Sequence, residues 1–273
     1  MRRLSAFRQF ARAMDREVWA HLYGVPHPVR LYALRNGSYL VNRRSPEPRL
    51  TALVLAIMKT ATPRHFWDVG AHIGYYSWLV AAASRDTDIV AIEPDPINLS
   101  VLQKTRTYSP RVAILDVGVS ESDGTASFLT DGVSGATGTL EVGAVTFNER
   151  NYGEVPQSIG IRTRSLDSIG VERGFPDFVK MDVEGHEVHA LGGGSQLLSR
   201  KPIVIVEVFD PSSPALTTLR DAGYHVLPAD SLCDGPAPDD GNYVAVPDGR
   251  VDLESLRTAY ARKLLDAGLT SAA

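Results

Sequence analysis

The sequence predicts an α/β protein built on a doubly wound, mostly parallel sheet, and three observations predict it. The first is His65-Phe-Trp-Asp-Val-Gly-Ala-His-Ile-Gly-Tyr-Tyr-Ser77, a short apolar strand that ends in glycines and opens an amphipathic helix. The second is Asp88-Ile-Val-Ala-Ile-Glu93, another buried-looking strand, whose terminal carboxylate lies 23 residues beyond Gly70. That is close to the ~20-residue offset at which an acidic side chain meets a ribose diol. The third is Pro202-Ile-Val-Ile-Val-Glu-Val-Phe209, nearly all β-branched, as a strand covered on both faces should be.

The turn between the first strand and its helix narrows the ligand. A dinucleotide site wants Gly-x-Gly-x-x-Gly, because the central glycine lets the backbone approach a pyrophosphate. Here His72 holds that central position and Ala71 stands beside it. Asp68, Glu93 and Asp95 would repel phosphates and favour an ammonium and a sulfonium, to which Tyr75 or Tyr76 can add a ring face. An adenosine ligand without phosphate follows, and S-adenosylmethionine is the obvious one. Its candidate contacts are Asp68, Gly70, Ala71, His72, Gly74, Ser77, Glu93 and Pro94, joined by Ser120 past the third strand and by Asp182.

Asp68-Val-Gly-Ala-His-Ile-Gly-Tyr-Tyr-Ser77, Glu93-Pro-Asp-Pro96 and Lys180-Met-Asp-Val-Glu-Gly-His-Glu187 together resemble the FkbM-type family of S-adenosylmethionine-dependent methyltransferases, over about Glu47 to Pro247. The third motif is the most specific. His72 departs from the Asn that the family usually carries. The resemblance implies a Rossmann-like class I methyltransferase fold with a seven-stranded sheet, and O-methylation of a sugar or secondary-metabolite hydroxyl. The implied partner is therefore a small-molecule or carbohydrate acceptor.

Three regions are expected: an N-terminal extension over 1–45, the methyltransferase domain over 46–250 with an insert at 131–158, and a C-terminal helix within 251–273. In the extension, Leu4, Phe7, Ala11, Met14, Val18 and Leu22 fall at spacings of three and four, predicting an amphipathic helix over Met1–Tyr23. Five arginines make it basic, so a weak peripheral membrane contact is one reading; a cap over the domain or a homodimer contact is the preferred one. Val29–Val41, with Asn36-Gly37 inside it, predicts a small hairpin. Leu50–Thr60 predicts a helix after Pro46-Glu-Pro48, where Glu47 is a weak candidate to reach the cofactor. Arg111–Gly118 predicts the third strand, Thr125–Leu129 and Gly160–Leu166 a pair around the Gly-rich insert, and Tyr224–Pro228 with Asn242–Val246 a closing hairpin. The insert suits a mobile loop that carries acceptor contacts.

Composition excludes several classes. A net charge of −4 gives no general pull toward nucleic acid. A single cysteine, Cys233, excludes a disulfide within the chain and a cysteine zinc cluster. No apolar run approaches the ~18 residues of a membrane span and no signal-peptide core opens the chain, so a cytoplasmic location is expected.

Chemistry is expected at Phe178-Val-Lys-Met-Asp-Val-Glu-Gly185, where Lys180, Asp182 and Glu184 alternate with apolar residues. Charges on a central strand must meet each other, a ligand or water, since each lone buried ion costs several kcal/mol. Candidate catalytic residues are Asp182, Glu184 and His186, the last with the most suitable unperturbed pKa for a base; His72 is an outsider. Asp182 and Glu207 offer oxygen ligands of the kind Mg²⁺ takes, but nothing in the sequence fixes an octahedral set, so the metal-free reading is preferred. Two competing functions stay open: an NAD(P)-dependent oxidoreductase, disfavoured by His72 and the closing hairpin, and a non-catalytic partner protein that binds the same cofactor.

Overall fold

The computed structural model describes residues 15–41, 45–130, 136–140, 157–232 and 241–269. It opens with strand β1 (Glu17–His21), paired antiparallel with β2 (Pro28–Tyr32) in the register Glu17↔Tyr32. The amphipathic helix expected over Met1–Tyr23 is thereby corrected in its last part: residues 1–14 lie outside the described residues, and Glu17–His21 is strand. Val18, Ala20 and Leu22 alternate as well as they fit a spacing of four, and the ladder with β2 decides between the two patterns. The hairpin expected over Val29–Val41 is corrected too. Asn36 turns back on Tyr32, its N–H donating to the Tyr32 carbonyl and its Oδ1 accepting the Tyr32 N–H, both at 2.9 Å. The chain then enters helix α1 (Gly37–Val41) instead of returning as a strand.

Helix α2 (Pro48–Thr60) starts on a proline, whose missing N–H is an orphan donor at that position anyway. The strand and helix of the glycine turn follow as β3 (His65–Val69) and α3 (Tyr75–Ala83), then β4 (Asp88–Ile92) and α4 (Pro96–Thr105). The third strand is shorter than Arg111–Gly118. It splits at exposed Asp116 into β5 (Val112–Leu115) and β6 (Gly118–Val119), and β6 leaves the main sheet to join the antiparallel pair β7 (Gly124–Thr130) and β8 (Gln157–Arg164). The chain continues through α5 (Leu166–Arg173), β9 (Phe178–Met181), α6 (Glu187–Gly192), α7 (Ser195–Ser199), β10 (Ile203–Glu207) and α8 (Pro214–Asp221). It closes with β11 (Tyr224–Pro228), β12 (Asn242–Pro247) and α9 (Leu253–Asp266).

The main sheet has seven strands in the order β11-β12-β10-β9-β3-β4-β5. All neighbours are parallel except β12, which runs antiparallel between β10 and β11. Alternation along the strands divides the apolar residues between two faces. Phe66, Phe178, Ile205 and Val244 pack with α2, α3 and α9, whereas Trp67, Val179, Val206 and Ala245 pack with α5 to α8. Leu22, Val25, Val29 and Leu31 join the first face, which ties the N-terminal strands to the same core. No helix among the described residues is long and apolar enough to cross a membrane.

This layering predicts where stability resides. Phe178 is fully buried with its ring 4.9 Å from that of Phe66. Phe178→Ala is expected to cost about 3–5 kcal/mol, seen as a lower denaturant midpoint with an unchanged slope. A midpoint within error of wild type would mean that Phe178 does not anchor that face.

Candidate functional site

Parallel strands all point their carboxyl ends the same way, and the space beyond those ends is where doubly wound folds hold ligands. A cavity of about 280 Å³ opens there, at the ends of β3, β4 and β9. Its floor is the turn after β3. The N–H groups of Gly70 and Ala71 both donate to the Ile92 carbonyl, at 2.9 and 3.0 Å, and the Asp182 N–H donates to the Val69 carbonyl at 3.0 Å. Gly70 has φ +75°, and a Cβ placed on it would lie 1.8 Å from the Asp182 carbonyl oxygen. Only glycine permits β3 and β9 to approach this closely here.

His72 adopts the left-handed conformation with φ 54°, and its N–H donates to Glu93 Oε2 at 2.7 Å. Glu93 also accepts from the Asp95 N–H at 2.9 Å and from Asn98 Nδ2 at 3.2 Å, all through Oε1. Burial nonetheless dominates these three bonds and pushes the Glu93 carboxyl up to about 8. Asp68 is likewise buried; its Oδ2 accepts from the Ser77 N–H and hydroxyl at 2.9 and 2.7 Å, which anchors the start of α3. Burial raises its carboxyl to about 6, against the pull of Lys180.

At another part of the rim, β9 ends at Met181 and presents Asp182 at its tip. Lys180, buried, donates from Nζ to Asp182 Oδ2 at 2.8 Å and lies 5.4 Å from the Tyr76 ring centroid. Tyr76 in turn donates its hydroxyl to Glu47 Oε2 at 3.0 Å. Burial would discharge Lys180, but Asp182, Asp68 and Glu47 more than offset it and its pKa is raised. Burial would likewise raise Asp182, yet the Lys180 charge holds it below the usual carboxylate range. Glu207 has no such cation of its own, so burial and the Asp182 charge push its carboxyl far up. Asp182, Glu184 and Glu207 bring carboxylate oxygens within 4.8 Å of one another, the one such acidic or His/Cys group among the described residues. At neutral pH the geometry sets an ionised Asp182 beside a protonated Glu207.

The sequence candidates divide accordingly. Gly70, Ala71, His72, Glu93, Pro94, Asp182, Glu184 and Glu207 line the cavity. Asp68 and Ser77 bond to each other beneath its wall, and Gly74 caps α3 with φ 80°. Ser120 and His186 stand outside the wall as a pair, Ser120 Oγ 3.0 Å from His186 Nε2, with His186 stacked on His189 at 4.7 Å. His186 is therefore not among the residues that line the cavity, and α6 begins just after it. Wall residues not singled out by sequence include Arg35, Asn36 and Tyr39 from the N-terminal extension, and Phe128, Gly138 and Leu140 from the β7 edge and the insert. Nothing local in the sequence marks them, since each reaches the site through tertiary packing.

A sheet of this topology with a glycine-cradled, carboxylate-rimmed cavity is the architecture of a class I methyltransferase-like protein. A family model described as the Methyltransferase FkbM domain matches residues 68–226, more than half of the chain, and the chain belongs to that family. Hexuronic acid methyltransferase AglP of Haloferax volcanii is 34% identical over 146 residues, which cover 52% of this chain and 54% of that protein. The chain thus matches about half the length of that relative. Among solved structures, a precorrin-6y C5,15-methyltransferase from Geobacter metallireducens is similar at 12% identity and a TM-score of 0.43, covering 75% of this chain and 89% of that one. M. jannaschii TYW2 in complex with AdoMet is similar at 14% identity and a TM-score of 0.42, covering 84% and 83%.

The buried Glu93 predicts a pH signature. An acid whose pKa is raised on folding binds more protons folded than unfolded, so stability falls as pH rises from its unfolded value of 4.5 to about 8. Thermal melts across that window should show a steeper loss for wild type than for Glu93→Gln, the difference reaching a few kcal/mol. Parallel slopes for the two proteins would place Glu93 in a wetter site than this one.

Proposed function

We propose that this chain binds S-adenosylmethionine and transfers its methyl group to a hydroxyl of a carbohydrate acceptor. The observation that carries the reading is the cavity whose floor is the Gly70–Asp182 contact and whose rim holds Asp182, Glu184 and Glu207. Family membership supports methyl transfer, and the printed activity of the Haloferax relative supports a sugar as acceptor.

The residues fit the cofactor. Gly70, Ala71 and Glu93 line the open cavity, so a ligand can lie against the turn there. Asp68 Oδ1 is buried with no hydrogen-bond partner among the described residues, which suits a cationic ligand. When bound, the cofactor supplies a methyl group already activated by its positive sulfur. The protein's part is alignment, worth up to ~7–11 kcal/mol when reacting atoms are held in line, and the handling of one proton. As the acceptor oxygen takes the methyl group, its O–H bond breaks, and Asp182 takes that proton. Lys180 keeps Asp182 ionised beforehand, and Glu207, already protonated, does not compete. Because Lys180 already supplies the cation that Asp182 pairs with, the reading remains metal-free.

Calorimetric titration with S-adenosylhomocysteine should give binding, and titration with NADH none; the reverse result would favour an oxidoreductase. Asp182→Asn should still bind S-adenosylhomocysteine while turnover of labelled donor with uronic-acid or neutral glycan acceptors drops ~10²–10⁴-fold. A rate equal to wild type would remove Asp182 from the chemistry. The wild-type rate should hold through neutral pH, fall in acid as Asp182 protonates, and fall again in strong alkali as Glu207 ionises. A rate that climbs through neutrality would point to a different base.

A further inference from the structure

Four side-chain contacts fasten the segment from Arg35 to Tyr39 onto the floor and rim of the cavity. Arg35 Nη2 donates to Asp95 Oδ2 at 3.0 Å, with the two side chains only 8% and 2% exposed. Asn36 Nδ2 lies 3.1 Å from His72 Nε2, and Tyr39 Oη lies 3.5 Å from His72 Nδ1. The Tyr39 ring also rests against the rings of both His72 and Tyr75, each at 5.9 Å. The segment lies outside residues 68–226, so it is not part of what the family model describes.

The direction of the Asn36 contact follows from its other end. The Tyr32 N–H donates to Asn36 Oδ1, so the amide must present its N–H₂ group to the imidazole. His72 Nε2 therefore accepts, and the ring is engaged with the extension instead of being free to take a proton from an acceptor. Its backbone is held separately, through the N–H that donates to Glu93. One residue thus joins the two halves of the wall: its main chain belongs to the glycine turn and its side chain to the N-terminal segment.

We infer that Arg35, Asn36 and Tyr39 form a clasp that completes the donor half of the site, with the His72 ring as its latch, and that the clasp governs how tightly and how long the donor is held. The inference rests on the donor reading above and deepens it. A clasp and a ligand that share one wall stabilise each other, and the coupling is reciprocal. Loosening the latch must therefore weaken donor binding, while the acceptor side, built from Asp182, Glu184 and Glu207, is left standing.

The left-handed φ of His72 makes the test clean, because glycine accepts that conformation without strain. His72→Gly removes the latch and spares the turn. With S-adenosylhomocysteine as probe, its affinity is expected to fall about tenfold, the equivalent of one well-made hydrogen bond, with faster release, a higher donor KM and an unchanged acceptor KM. Asn36→Ala, which does not touch the turn, should show the same pattern, and His72→Gln, whose terminal oxygen can still accept from Asn36, should recover most of the affinity. Thermal unfolding of each variant checks that it is folded. If folded His72→Gly binds the probe as tightly as wild type, or if it raises the acceptor KM instead, the clasp is overturned and the donor reading stands. If wild type itself does not bind the probe, the donor reading falls and the clasp with it.

Discussion

The site depends on one close approach, that of the Gly70 α-carbon to the carbonyl of Asp182. β3 and β9 are parallel neighbours, and the ladder between them ends with Val69 opposite Met181. One residue further on, the two chains must part, one into the glycine turn and the other toward the acidic group. Because nothing but hydrogen projects from Gly70, they part late and at short range. Everything that defines the cavity floor is set by that geometry: the paired N–H groups on Ile92, the bond from Asp182 back to Val69, and the placing of a carboxylate at the tip of β9.

Electrostatics then sort a group of acids that would otherwise repel one another. Asp68, Glu93, Asp182 and Glu207 all lose solvation, but only Asp182 has a lysine at bonding distance. The others respond by holding their protons to higher pH, each for the same first reason, burial, and each with a different set of local donors. The buried Lys180 therefore holds Asp182 ionised, while Glu93 and Glu207 keep their protons at neutral pH. Lys180 could not be exchanged for a shorter or neutral side chain without releasing Asp182 to compete with Glu207 for one proton.

Much of this was legible in the residues. The strand-turn-helix at His65–Ser77, the acidic strand end at Glu93, and the Lys180-Met-Asp-Val-Glu run are local signals, and the structure places Gly70, Glu93, Asp182 and Glu184 around one cavity. The antiparallel entry of Asn242–Pro247 was legible as well, because a hairpin loop rich in Gly and Pro separates two short strands. Elements whose state depends on a distant partner were not. Val18 and Leu22 fit a helical spacing of four and, with Ala20 between them, also a strand period, and only the ladder that sets Val18 and Ala20 opposite Leu31 and Val29 chooses. Asn36-Gly37 reads as a turn in either setting; Tyr32 decides which. The contact of His186 with Ser120, 66 residues earlier, is likewise tertiary and has no local signal.

The position of β12 bears on how the molecule is assembled. It is the last strand in the chain, yet it is an interior strand of the sheet, wedged between β10 and β11 with Asn242 opposite Glu207. During synthesis, β3, β4, β9 and β10 are all made before it, so the flank of β10 stays an open edge until residues 242–247 emerge. A nascent chain short of that point can carry the glycine turn and most of the sheet, but its Glu207 still lacks the strand that lies beside it at Asn242. The surroundings of Glu207 are therefore completed only when β12 is inserted.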